Sequence, residues 1–312
     1  MEWEVRLIEW LQSNTGDIGM AFGKIFSFFG GESGLLLVFL LVLFCWKKEA
    51  GKRLGLIVVS VNVWLPMIKA VALRPRPYVT YPDRVEARVL VDADAAAQDV
   101  AAQGYSFPSM HAASVPPLYV SLAMEAKKKW MWITAIALMV LVGVSRVLVG
   151  MHYPTDVLAG WGVGFAAIGI FRLLELFVRK EWLRHLIVLC LTLPGLFYVR
   201  TQDYFTALGL LIGFITAIPF ERKYTRFQDT RNIWAMLLRI VGAFALYFVL
   251  NTLLKLPFDK AFLDGGSLGA YLIRTVRYTV IMFLIIGVYP KIFPLFEKVG
   301  KKKQHFKEKY NQ

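Results

Sequence analysis

The sequence predicts an all-α, polytopic transmembrane helical bundle, and three observations carry that expectation. The 312-residue chain is 57% hydrophobic and only 19% charged, with a mean hydropathy of +0.53. Soluble domains hold about a quarter charged residues, so one aqueous core cannot absorb this excess. The apolar residues are gathered into long runs, and the basic residues into every second connection between them. The same composition excludes intrinsic disorder, which needs low hydrophobicity and high charge. A disulfide-stapled scaffold is excluded as well, because the two cysteines, Cys45 and Cys190, both lie inside apolar runs.

Taken in order, residues 3–11 alternate apolar and charged side chains at helical spacing and read as an interfacial helix. The acidic start, Glu2 and Glu4, does not fit a secretory signal. Residues 18–30 are apolar but short, enough for a short span or a re-entrant helix. Spans are expected at 34–46, 54–73, 112–126, 130–149 and 156–178, then at 185–199, 204–220, 233–254 and 276–296. With their flanks most reach the roughly 20 residues that cross a bilayer; the shorter ones would tilt or be covered by neighbours. The expectation is nine or ten spans. Residues 1–180 would form a six-helix core if 18–30 crosses, and residues 181–312 would add about four helices and a basic tail. The polar, basic link 221–231 divides that second part, and no internal repeat has a fixed period.

The formal charge of +14 would suggest nucleic acid in a soluble protein, but its placement points to a lipid bilayer instead. Basic clusters occupy alternate connections: Lys47, Lys48, Lys52 and Arg53; Lys127, Lys128 and Lys129; Arg179, Lys180 and Arg184; Arg222, Lys223, Arg226 and Arg231. The tail adds Lys298, Lys301, Lys302, Lys303, Lys307 and Lys309. Positive loops stay on the cytoplasmic side, so these connections and the C-terminus are expected there, in a multi-pass plasma-membrane protein. The connections 74–110, 150–155, around Thr201 and 256–267 would face outward.

Ionisable residues at the edges of spans are costly and mark function by default. Three groups fall on the expected outer face: Lys69 with Arg76 and Pro77; Pro108-Ser109-Met110-His111 before an apolar helix; and Ser145-Arg146, then His152 and Asp156 astride a turn. Arginine forks and a lysine point charge suit phosphate oxygens. Ser109 and the N–H groups opening the next helix add neutral donors, and helix N-termini favour anions. Lys69, Arg76, Ser109 and Arg146 therefore read as a cage for a tetrahedral oxyanion. His152, its tautomer fixed by Asp156, suits a nucleophile. His111 suits a general acid. No cluster has metal-ligand spacing, so neither metal nor cofactor is expected.

Together the three groups resemble the tripartite signature of the type-2 phosphatidic acid phosphatase superfamily, which also holds vanadium haloperoxidases and bacterial acid phosphatases. The family pattern is Lys-x6-Arg-Pro, Pro-Ser-Gly-His and Ser-Arg-x5-His-x3-Asp. The chain matches it at Lys69, Arg76 and Pro77; at Pro108, Ser109 and His111; and at Ser145, Arg146, His152 and Asp156. The resemblance spans roughly residues 1–180. It implies a catalytic set of His152, oriented by Asp156 and carrying the phosphoryl group, and His111, the acid that then helps activate water. It also implies phosphate binding by Lys69, Arg76, Ser109 and Arg146. Met110 departs from the family glycine, which would matter if that position needed positive φ.

Outside these motifs, Arg74 reads as a headgroup or loop contact, Arg274 and Arg277 as interfacial anchors, and His185 and His305 as non-catalytic. The loop 81–104 is either a lid over the site or a solvated connector. Three roles suit the C-terminal helices: a lipid-facing groove that selects substrate, a homodimer surface, or a path moving lipid between leaflets. The function expected is a lipid phosphatase acting on a membrane-anchored phosphomonoester or diphosphate. Undecaprenyl diphosphate, phosphatidic acid, phosphatidylglycerol phosphate and sphingoid-base phosphates are all candidates. The alternative is a lipid transporter or scramblase retaining a vestigial phosphate site.

Overall fold

A computed structural model describes residues 2–299; Lys301, Lys302, Lys303, Lys307, Lys309 and His305 lie outside them. Among the described residues the regular structure is all helical, with no strand. The helices are α1 (Glu2–Gly30), α2 (Glu32–Leu41), α3 (Lys48–Ala72), α4 (Pro77–Thr80), α5 (Val100–Gln103), α6 (Met110–Val115), α7 (Ser121–Ala126) and α8 (Lys129–Leu148). They continue as α9 (Pro154–Phe177), α10 (Glu181–Thr192), α11 (Gly195–Tyr198), α12 (Gln202–Phe220), α13 (Ile233–Leu253), α14 (Lys260–Asp264) and α15 (Leu268–Phe283).

Among the described residues six helices are long and apolar enough to cross a membrane, or seven if a bent pair counts as one. The nine or ten runs expected from hydropathy reduce to this number for physical reasons. Residues 18–30 and 34–46 belong to one pair, Glu2–Gly30 and Glu32–Trp46, bent by 45° at the Gly30–Gly31 break. Residues 110–126 form a helix with a wider π turn at Pro116–Val120, too short to qualify by length. The expected 185–199 span splits into α10 and the single turn α11, with Pro194 between them. The spans turn apolar side chains outward. On α8, Trp130, Ile133, Ile136, Val140 and Val144 are exposed at three- and four-residue spacing. Such a stripe is stable only with lipid as its solvent.

The chain forms two compact units. The first comprises residues 1–36, 64–184 and 195–199; the second comprises 37–63, 185–194 and 200–312. In the first unit, Val5 and Ile8 of α1 are fully buried with Tyr78, Val85, Val149, Tyr153 and Val157. The N-terminal helix is therefore built into the core on one face, rather than lying only at an interface; Trp3 and Trp10 keep its other face exposed. Gly16, at φ +44° and ψ −134°, turns α1 sharply, a conformation that only glycine adopts cheaply. Glycines also bring α6, α8 and α9 together. A Cβ on Gly160 of α9 would meet the Ser109 carbonyl at 2.7 Å, and one on Gly164 would meet the Ala113 carbonyl at 2.6 Å. In the second unit, the Thr275 and Thr279 hydroxyls of α15 each donate at 3.1 Å to carbonyls of α12, those of Phe205 and Gly209. Such bonds replace water where helices meet in lipid.

Candidate active site

Every sequence-predicted site residue lies in the first unit. Each is placed by a local feature of its own segment. Helix α3 ends in the left-handed Leu73, whose N–H closes on the Lys69 carbonyl at 3.0 Å. Pro75 then keeps α3 from continuing, and Pro77 opens the short α4. Lys69 stays on the last turn of α3, and Arg76 sits just before α4. Ser109 caps α6, its Oγ accepting a long bond of 3.5 Å from Ala112 N–H, and its own N–H donates to the Asp156 carbonyl at 3.0 Å. Pro154 opens α9, and Asp156 in its first turn accepts Tyr153 N–H at 2.8 Å. Met110 is helical with negative φ, so the residue that replaces the family glycine needs none of its freedom.

Five of these side chains converge. His111 and His152 lie within electrostatic range of each other and of Lys69, Arg76 and Arg146. Lys69 Nζ donates to the Tyr105 carbonyl at 2.6 Å, and Arg76 to the carbonyls of Gln103 at 2.7 Å and Met151 at 3.1 Å. Arg146, 3% exposed, donates to Ser27 Oγ at 2.6 Å, while its Nε is buried without a partner. His152 Nδ1 stands 3.6 Å from Asp156 Oδ2, too far for a full hydrogen bond. Burial, then the charges on Arg76, Lys69 and Arg146, push the His152 imidazole well below its ordinary value, while the Ser106 carbonyl pulls it back. At neutral pH the ring is therefore uncharged, with a basic nitrogen to offer. Gly30 and Gly31 make room for His111; a Cβ on Gly30 would stand 3.1 Å from His111 Cβ.

Reading the sequence alone missed four residues here. Arg74, expected as a headgroup or loop contact, gives its Nη1 to Asp156 Oδ1 at 2.7 Å and its Nη2 to Glu4 Oε2 at 2.9 Å. Glu4 comes from the first turn of α1. Ser27 holds Arg146, and the buried Ser106 lies against Asp156. No local pattern announces these partners, which are up to 119 residues away in sequence. The loop 81–104, expected as a lid or a solvated connector, is anchored to the first unit at two points. Gln103 gathers Tyr78, Val91 and Asp92 around its side chain, and Gln12 of α1 exchanges two hydrogen bonds with Glu86. Among the described residues, no three His, Cys, Asp or Glu side chains are disposed to hold a metal ion.

The arrangement can do three things chemically. It can bind a tetrahedral anion, offer the uncharged His152 imidazole to it, and exchange a proton through His111, which burial and the same cations also push well below its ordinary value until an anion offsets them. Residues 50–179 match the model of the PAP2 superfamily, and residues 205–302 match that of the PAP2 superfamily phosphatase transmembrane extension. An undecaprenyl-diphosphatase of Sulfolobus acidocaldarius is 52% identical over 60 residues, 19% of this chain and 29% of that protein. A phosphatidylglycerophosphatase B of Bacillus subtilis is 38% identical over 69 residues, 19% of this chain and 34% of its own length. The similarity thus spans about a third of the curated relatives. No solved structure matches the chain.

Proposed function

The chain belongs to the PAP2 superfamily, and from that membership and the cluster of buried cations around two imidazoles we propose that it is an integral-membrane lipid phosphatase. The observation that carries the reading is the pairing of an uncharged, buried His152 with an Arg146 whose Nε has no partner in the chain. A buried guanidinium left this way favours an anion that the protein does not itself supply.

His152 attacks phosphorus in line, so that an N–P bond forms as the P–O bond to the lipid breaks. The phosphate anion offsets the cations that lower His111, so its imidazole takes up a proton on substrate binding and gives that proton to the departing oxygen. In the second half-reaction His111 takes a proton from water, which attacks the phosphohistidine and releases orthophosphate. Lys69, Arg76, Ser109 and Arg146 bind the phosphoryl oxygens and stabilise the charge that builds there. No step needs a metal ion. The substrate is a lipid diphosphate or phosphomonoester of the undecaprenyl diphosphate, phosphatidate or phosphatidylglycerol-phosphate type, in keeping with the names of the two relatives. In this reading residues 1–180 carry the chemistry, and the alternate basic connections support a site near the outer face of a plasma membrane.

Orthophosphate release from a panel of lipid phosphates in detergent, with and without EDTA, tests this reading. His152→Ala should lower kcat about 10³- to 10⁴-fold, roughly 4–5.5 kcal/mol of transition-state stabilisation. Vanadate should inhibit by imitating the five-coordinate transition state. Wild-type rates in His152→Ala would remove the nucleophile, and loss of activity in EDTA would make the reaction metal-dependent. A transporter with a vestigial site would move lipid across vesicles while releasing no orthophosphate.

A further inference from the structure

Asp156 is not the end of the chain of contacts behind His152. One of its oxygens accepts Arg74 Nη1 at 2.7 Å; the other accepts Tyr153 N–H at 2.8 Å and faces His152 Nδ1 at 3.6 Å. Arg74 in turn gives Nη2 to Glu4 at 2.9 Å and lies over the Tyr153 ring, 3.8 Å from its centre. Glu4 closes the circuit by accepting Thr155 Oγ1 at 2.6 Å and Thr155 N–H at 3.1 Å, while Thr155 Oγ1 also accepts from Arg74 at 2.7 Å. The side chains of Glu4 and Asp156 are 3% and 0% exposed, that of Arg74 19%.

The charge count is the informative feature. Arg74 with Asp156 alone would be a neutral pair, and its guanidinium would cancel the negative charge that an imidazolium needs beside it. A second buried carboxylate costs desolvation that a purely structural pair would avoid. Glu4 brings the group to a net charge of −1, next to a ring that must turn positive when its other nitrogen bonds to phosphorus. We propose that Glu4 and Arg74 are positioning residues that hold Asp156 against His152 and set the net negative charge behind it. The N-terminal helix is thereby part of the catalytic apparatus. The nucleophile keeps its Nδ1 proton on the ring and turned towards Asp156, and the charge from Glu4 stabilises the phosphoimidazolium.

This inference rests on the proposed role of His152, and the experiment separates the two. The probe is farnesyl diphosphate in detergent micelles, with orthophosphate release measured as kcat/KM against pH. The groups facing His152 are Lys69, Arg76, Arg146, His111 and Asp156, and all of them stay in every variant. Glu4→Gln preserves shape and removes one negative charge. It should lower kcat about tenfold with little change in KM, and move the acidic limb down by about half to one pH unit. Arg74→Met removes the cation and should move that limb up by a similar amount. Arg74→Lys, which keeps the charge, should leave the limb in place while lowering kcat. Opposite displacements in Glu4→Gln and Arg74→Met support the proposal, because a bracing role would lower folded yield without moving either limb by sign. Limbs that stay put, or move the same way, overturn it. If Arg74→Met does not fold, Glu4→Gln and Arg74→Lys decide: an undisplaced limb in the first or a displaced one in the second overturns the proposal. A wild type that forms no acid-labile phosphoenzyme would instead overturn the reading of His152.

Discussion

Both units bury charge among apolar helices, but they settle it differently. In the second unit Glu221, fully buried, lies between Lys48 at 3.2 Å and Lys52 at 2.9 Å and also accepts Phe227 N–H. Arg239, also buried, pairs with Glu297 at 2.9 Å and lies over the Phe293 ring. Each of these charges has an oppositely charged partner within the chain, although Arg239 Nε, like Arg146 Nε, is buried without a hydrogen bond. In the first unit Arg146 meets only a serine hydroxyl, and no carboxylate among the described residues pairs with it. Arg277 is the second unit's exception, its terminal nitrogen meeting only the oxygens of Asn251. A buried ion that is answered internally holds a fold; one that is not is held ready for a ligand, at a cost to stability.

The comparison breaks most visibly if neutralising one charge in each unit gives the same result. Glu221→Gln leaves the buried Lys52 and the half-buried Lys48 ammonium groups facing a neutral amide. It should cost about 3–5 kcal/mol and lower the apparent melting temperature sharply. The protein that remains folded should turn over normally. Arg146→Gln should do the reverse. It relieves an uncompensated cation, so the melting temperature of the ligand-free protein stays level or rises, while kcat/KM falls about 10²- to 10³-fold, near 3–4 kcal/mol. Thermal unfolding in detergent beside phosphate release reads both. A large loss of stability in Arg146→Gln would mean that its charge is already answered in the chain.

A pH series sharpens the comparison at smaller scale. His152 titrates in the folded protein well below the ordinary histidine value near 6.5, through burial and then the cations around it. A group with a lowered folded pKa binds fewer protons than the unfolded chain. His111 is lowered in the same way, so stability is unaffected above about pH 6.5 and is lost as pH falls below it, by about 1.4 kcal/mol per unit for each ring until the folded rings also titrate. Activity should remain level through pH 6.5 and fall only below it, because the ring stays basic and uncharged longer than a free histidine. His152→Asn should about halve the slope of the stability curve between pH 6.5 and 5.5, leaving the share of His111. An unaltered slope in that variant would place the titration elsewhere.

The sequence made the three motif groups legible because charge inside apolar runs is rare and because each group's spacing is set locally, at one helix end or one turn between helices. Lys69 and Arg76 bracket the end of α3, and His152 and Asp156 share the start of α9. Arg74 and Glu4 were not legible in the same way. Their partners lie 82 and 151 residues away, and a basic residue at a helix end has an ordinary interfacial explanation. Hydropathy likewise overcounted the spans, since it registers apolar length but not the break at Gly30–Gly31 or the interruption at Pro194. The loop 81–104 escaped because its anchors, Gln12 and Gln103, are uncharged side chains bonding mostly to backbone.

The finest test uses two residues with the same backbone and different neighbours. Leu73 in the first unit and Arg226 in the second both sit at φ +50°, left-handed without being glycine. Each N–H closes a helical turn, Leu73 on Lys69 at 3.0 Å and Arg226 on Glu221 at 2.8 Å. That conformation costs an L-residue about 1–2 kcal/mol, and glycine avoids it while adding freedom to the unfolded chain. Leu73→Gly and Arg226→Gly should therefore each gain about 0.5–1 kcal/mol and raise the apparent melting temperature by about 1–3 °C. Activity should separate them. Leu73 is the joint from which Arg74 reaches Asp156, so a looser joint should lower kcat about two- to threefold, while Arg226→Gly leaves turnover unchanged. Equal activities would mean that the contacts of Arg74 fix its position without help from the backbone turn. The stiffness of that turn would then belong to the fold and not to the site.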